Sequence, residues 1–162
     1  MLSKPWITLV VGAVCILLFC SRSGYGESAV DPCSLLSQAQ VSAALGADVA
    51  EGKRVTPKLC DWSVPGQSPG MRAKKVTITM LEPQGFSNAK LQGGGGNITK
   101  TPVSGIGDEA VYGTTSGLAT TLSVRKGSVA FTVHVWGFDE KKDVDQIKAK
   151  EKTLALEALS KL

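Results

Sequence analysis

Apolar residues along this 162-residue chain recur at two spacings, and the switch between them separates helices from strands. From Ser34 to Leu45, the residues Leu35, Leu36, Ala39, Val41, Ala44 and Leu45 cluster at helical spacing. Ser37 with Gln40 forms a capping box for the main segment, which makes Asp31-Pro32-Cys33-Ser34 an entry turn. Gly46 is a natural helix stop. Ala47 to Pro57 reads as a charged connector with a short strand near Val49. Leu59 to Val64 is a strand with Cys60 and Trp62 on one face, and Pro65-Gly66-Gln67-Ser68-Pro69-Gly70 is a turn. In Arg72 to Leu81, Val76, Ile78 and Met80 alternate with Lys75, Thr77 and Thr79, the pattern of a sheet with one wet face.

Further along, Phe86 to Leu91 suits a short helix, and Gly93 to Gly96 a mobile loop, because so free a backbone costs entropy to order. Val103 to Tyr112 holds Gly105-Ile106-Gly107-Asp108-Glu109-Ala110, a turn leading into a strand. Leu118 to Arg125 and Ser128 to Trp136 form a hairpin. With Lys126-Gly127 as its turn, Leu122 meets Phe131 and Val124 meets Val129, while Ser123 meets Ala130 and Thr121 meets Thr132. Lys-Gly is not the best turn pair, so a slip with a bulge is the alternative. Asp139 to Leu162 is a long helix with Val144, Ile147, Leu154, Ala158, Leu159 and Leu162 on its apolar stripe. There is no internal repeat. The fold class that follows is α+β: an antiparallel β-sheet with an N-terminal and a long C-terminal helix packed on it, an α/β/α sandwich.

The N-terminus changes the picture. Lys4 is the only charge before an apolar run from Trp6 to Phe19, 14 residues long and broken only by Thr8 and Gly12. A transmembrane helix needs about 20 such residues. Gly24 and Gly26 then supply the small-x-small pattern of a signal peptidase site. The expectation is a signal peptide over residues 1–26, cleaved between Gly26 and Glu27, and a single exported domain over 27–162. Leu17-Leu18-Phe19-Cys20 resembles a lipobox with Cys20 as the lipidated residue, but Phe19 stands where a small residue is usual. Membrane attachment is therefore expected only through a lipid anchor on Cys20, if that residue is modified.

Cleavage removes Lys4 and Arg22. Lys plus Arg falls from 18 to 16 against 14 acidic residues, so the net charge falls from +4 to +2. Its basic pairs are dispersed, which argues against nucleic acid as a partner. Of four cysteines, Cys15 and Cys20 leave with the signal. Cys33 and Cys60 remain, and in an oxidising compartment they are expected to form a disulfide. Two thiolates and one histidine are too few and too scattered for a zinc pattern.

Candidate chemistry is sparse. His134, the single histidine, shares a strand face with Thr132 and Trp136. As a general base it would need a nucleophile such as Ser123, Thr121 or Ser116 together with an orienting acid. No serine stands in a nucleophile elbow. Asp108 and Glu109 are adjacent on a strand and point to opposite faces, so a local turn-capping role for Asp108 outweighs acid/base catalysis. The four glycines from Gly93 lack the Lys-Ser/Thr of a phosphate loop, and Asn97-Ile98-Thr99 is a glycosylation sequon of consequence only in a eukaryote. A bacterial host is expected. Trp62, Tyr112, His134 and Trp136 are the residues that could line a ligand or surface site, with core packing the alternative for the aromatics.

Several motifs also fall into a familiar order. Asp31-Pro32-Cys33-Ser34-Leu35-Leu36 opens a helix ending Ala44-Leu45-Gly46. Then come Cys60-Asp61-Trp62, Gly105-Ile106-Gly107-Asp108-Glu109-Ala110, Ser123-Val124-Arg125-Lys126-Gly127 and a terminal amphipathic helix. This order resembles a family of small exported bacterial domains of undefined function, often lipoproteins, and is similar to extracellular sensor domains of some bacterial receptor kinases. The resemblance covers most of residues 31–162. It implies an α/β/α sandwich of the PsbP-like group and a Cys33–Cys60 disulfide, and it brings no catalytic residues.

The expectation is a non-enzymatic cell-envelope or secreted module, periplasmic or released, that binds a small molecule, a lipid or an envelope component. An accessory protein-interaction domain without a pocket is the alternative, and a hydrolase using His134 ranks behind both. No cofactor and no metal are expected. The partner is a small ligand or an envelope protein, and the chain is expected to be a monomer.

Overall fold

The computed structural model describes residues 30–67, 73–91, 98–115, 119–138 and 142–162. Gly26, Glu27, Cys20 and the expected glycine loop lie outside them. A 3-10 turn at Pro32–Ser34 opens the described chain, with Asp31 Oδ1 accepting from the Cys33 N–H at 3.0 Å. Helix α1 then spans Gln38–Leu45. Ser37 and Gln40 make the reciprocal capping box, and Gly46 ends the helix in the left-handed region. The expected entry turn and capping box are both present, and the helix proper begins at Gln38 rather than at Ser34.

Among the described residues, seven strands make one sheet: β1 (Lys53–Thr56), β2 (Leu59–Ser63), β3 (Lys75–Leu81), β4 (Ile98–Val103), β5 (Glu109–Thr115), β6 (Ala119–Lys126) and β7 (Val129–Trp136). Their order is β1-β2-β3-β7-β6-β5-β4, with every neighbouring pair antiparallel. Two elements depart from the expected layout. The connector's strand is β1, at 53–56, rather than a segment around Val49. Val49 is instead buried in the core, and Ala50 N–H bonds the Ser63 carbonyl at 2.8 Å. The turn expected after Val103 does lead into a strand, β5, but a further strand, β4, precedes it where none was expected. β4 has no apolar alternation because it is an edge strand with both faces largely exposed. Its Pro102, like Lys53 and Arg54 on β1, makes a poor template for further strand pairing.

The β6–β7 hairpin corrects the expected register by two residues. Val124 faces Phe131 and Leu122 faces Val133, and Lys126 pairs with Val129 across a Gly127-Ser128 turn. Gly127 has φ 59°. A two-residue hairpin turn with glycine at its first central position requires that left-handed φ, so glycine's place sets the turn and the turn sets the register. A shift of two preserves the faces, so Leu122, Val124, Phe131, Val133 and Val135 still share the buried side.

The row Cys60–Ile78–Val133–Leu122–Tyr112 runs across five strands on this inner face. Helix α3 (Val144–Leu159) packs on it with α1 alongside. The two helices are tied by Gln40 Nε2 to Glu157 Oε2 at 2.6 Å and Lys150 Nζ to the Ala44 carbonyl at 2.5 Å. The Cys33–Cys60 disulfide is formed and joins the 3-10 turn to β2. Helix α2 (Pro83–Lys90) covers the opposite, outer face. Topology puts it there: the chain leaves β3 near the middle of the sheet and must cross to the far edge to begin β4. The result is an α+β sandwich.

Candidate functional site

The crossing of α2 over the sheet creates a concavity. Phe86 is its one buried side chain, seated on the outer face with Lys90 and Arg125 over its ring at 6.0 and 5.9 Å. Between α2 and the β4–β5 pair lies a groove of about 530 Å³. Its floor is apolar, made by Phe86, Pro102, Val103, Ala110 and Val111, and its rim is Lys90, Lys100, Ser104, Asp108 and Glu109. That size and that mixture are usual for sites taking small organic molecules. Glu109 is ion-paired with both Lys90 and Arg125, which hold its carboxyl below the usual range, Lys90 contributing most. Asp108 Oδ2 accepts the Gly127 N–H at 2.7 Å, so it braces the neighbouring hairpin. These two acids therefore have structural partners at the groove's edge.

His134 and Trp136 also lie on the outer face, in a separate patch over β2, β3 and β7. Their rings stack at 3.7 Å, and Lys75 sits 5.0 Å from the Trp136 ring centre and 3.7 Å from Asp61. In register, Asp61 pairs with Thr77 and Thr77 with His134, while Lys75 pairs with Trp136. Asp61 Oδ1, Thr77 Oγ1, His134 Nε2 and Trp136 Nε1 are all shielded from solvent without a protein hydrogen-bond partner. Burial, and secondarily Lys75, pulls the His134 pKa down to about 4.

Trp62 and Tyr112 are on the inner face. Trp62 is 1% exposed and belongs to the core. Tyr112 is also buried, and its hydroxyl donates to the Lys148 carbonyl at 2.6 Å, pinning α3 to β5. Burial, then the nearby Glu151, raises its pKa to about 12. The four residues proposed from the sequence as one site are thus split two and two across the sheet, and none lines the groove. Phe86 was the available signal for the groove: a lone aromatic in an otherwise polar helix must cover something apolar.

Glu151 escaped sequence reasoning altogether. It stands in the middle of α3 with 0% exposure, and burial raises its pKa to about 8. It lies four residues after Ile147 and three before Leu154, so a charge on the apolar stripe was the legible sign. Among the described residues, no three His, Cys, Asp or Glu side chains gather to hold a metal ion, and no helix is long and apolar enough to cross a membrane. Comparison with protein-family models, with curated proteins and with solved structures finds no match to this chain.

Proposed function

We propose that the protein is an exported, non-enzymatic module that binds a small amphipathic molecule in the groove between α2 and β4–β5. The observation that carries this reading is the groove itself, an apolar floor under a charged rim. Export rests on the signal-like segment 1–26, with the mature domain beginning at Glu27 in the periplasm or outside the cell. A soluble form is proposed, with lipidation of Cys20 as its rival. The Cys33–Cys60 disulfide supports an oxidising compartment. A histidine with a pKa of about 4 is a weak proton acceptor at neutral pH, which supports a role other than catalysis for His134. A second reading, docking of an envelope protein, is favoured by the exposed Leu91 at the end of α2 and Ile98 at the start of β4.

The test is mass spectrometry of the protein made with its own signal in a bacterial host and then incubated with an envelope extract. The denatured mass should start at Glu27 and lack two hydrogens relative to the dithiol. Under native conditions the protein should carry a small-molecule mass that is lost in Ser104→Trp, whose indole fills the groove. Retention of that mass by Ser104→Trp, or a bare protein after incubation, overturns the ligand reading. A protein-sized addition selects the docking reading instead.

A further inference from the structure

The β6–β7 ladder stops short. The two strands pair from Lys126 with Val129 as far as Leu122 with Val133. Beyond that point β6 stays with β5, down to Ala119 opposite Thr115, and β7 stays with β3, up to Trp136 opposite Lys75. The sheet therefore splits along a seam, and a backbone group facing such a seam needs another partner. Helix α3 lies over it. Glu151, fully buried, accepts the Val135 N–H on Oε1 at 3.4 Å. Its Oε2 has no well-formed hydrogen bond, and neither has the buried Thr120 hydroxyl of β6 beside it.

We propose that Glu151 is a protonation-controlled latch: as a neutral acid it bridges α3 to the open seam between β6 and β7, and its ionisation loosens that part of α3 from the sheet.

The surroundings suit a neutral acid. Lys148, the cation nearest in sequence on the same helix face, directs its ammonium over the Tyr112 ring at 5.6 Å. Among the described residues, the titratable groups that face Glu151 are Lys148 from α3 and Tyr112 from β5. β6 presents the Thr120 hydroxyl and β7 the Val135 N–H. Of these, Lys148, Thr120 and the Val135 N–H favour the carboxylate, but burial outweighs them and holds the pKa up at about 8. α1 meets α3 elsewhere, through Gln40 with Glu157 and Ala44 with Lys150. A protonated carboxyl has one donor and one acceptor, which answers the Thr120 oxygen and the Val135 N–H together. A carboxylate could accept from both groups as well, but its charge is desolvated by burial.

The experiment uses the mature, disulfide-bonded protein and reads two signals. The first is the 13C shift of the Glu151 carboxyl against pH. The second is hydrogen exchange of the Val135 amide, corrected for the intrinsic pH dependence, in wild type and Glu151→Gln. The carboxyl should titrate near 8. Between pH 6 and 9 the corrected exchange should rise about a hundredfold in wild type, since the lower limit lies two pH units below the midpoint and the change levels off above it, and stay level in Glu151→Gln. A midpoint near 4.5, or an equal rise in both proteins, overturns the latch. If Glu151→Gln does not fold, the carboxyl midpoint in wild type decides alone.

Discussion

Gly52 lies flat against the indole of Trp62: a β-carbon at position 52 would fall 2.7 Å from both Nε1 and Cε2 of the ring. Trp62 is buried within the core cluster. Gly52→Ala should therefore cost about 1–3 kcal/mol, the usual penalty for overpacking. Chemical denaturation followed by tryptophan fluorescence measures it. A variant as stable as wild type would mean that the chain around Gly52 yields.

The Cys33–Cys60 disulfide closes a loop of sequence separation 27 and ties the α1 entry turn to β2. Replacing both cysteines by alanine should lower stability by about 3.5 kcal/mol on chain-entropy grounds. The same loss should appear in the wild type on reduction. Denaturation midpoints with and without reductant check this, and coincident curves would refute it.

Stability should have a plateau in pH. Glu151 has a folded pKa of about 8 against an ordinary 4.5, so the native state holds a proton that the unfolded state gives up. Its contribution is complete below pH 4.5 and is lost as the pH rises toward 8. His134 has a folded pKa of about 4 against 6.5, so its contribution is complete above 6.5 and is lost on descent to 4. Each term changes by about 1.4 kcal/mol per pH unit, and between 4.5 and 6.5 the two oppose each other. The melting temperature should be level there and fall on both sides. Glu151→Gln should remove the alkaline fall and turn the plateau into a rise toward pH 6.5, because the His134 term is then unopposed. Thermal melts at fixed ionic strength test this, and a melting temperature still rising at pH 8 contradicts it.

His134→Ala should leave small-molecule binding unchanged, since the His134–Trp136 patch shares no lining residue with the groove. It should also remove the acid-side fall in stability. Binding lost in this variant while the fold persists would move the site to the patch over β2, β3 and β7.

Legibility followed the range of the interaction. The Ser37–Gln40 capping box and the Gly46 stop were readable because their partners sit within a few residues. The β3 and β7 faces were readable because a half-buried strand must alternate. The hairpin's faces were right although its register was not: a two-residue slip leaves the pattern unchanged, and only the turn geometry at Gly127 distinguishes the alternatives. β4 went unseen because an edge strand has no buried face to impose a pattern. Trp62, Tyr112, His134 and Trp136 looked like one group because residue type was all that joined them.

What the sequence determines by itself is therefore local or covalent: the two periodicities, the helix caps, a cysteine pair with one partner each in the domain beyond residue 26, and the α+β class. The tertiary structure decided the strand order, the crossing that lays Phe86 over the outer face, the groove beside it, and the sealing of Glu151 against Val135. These depend on which distant segments meet. A chain's local pattern says that a surface must be covered, and only packing says by what.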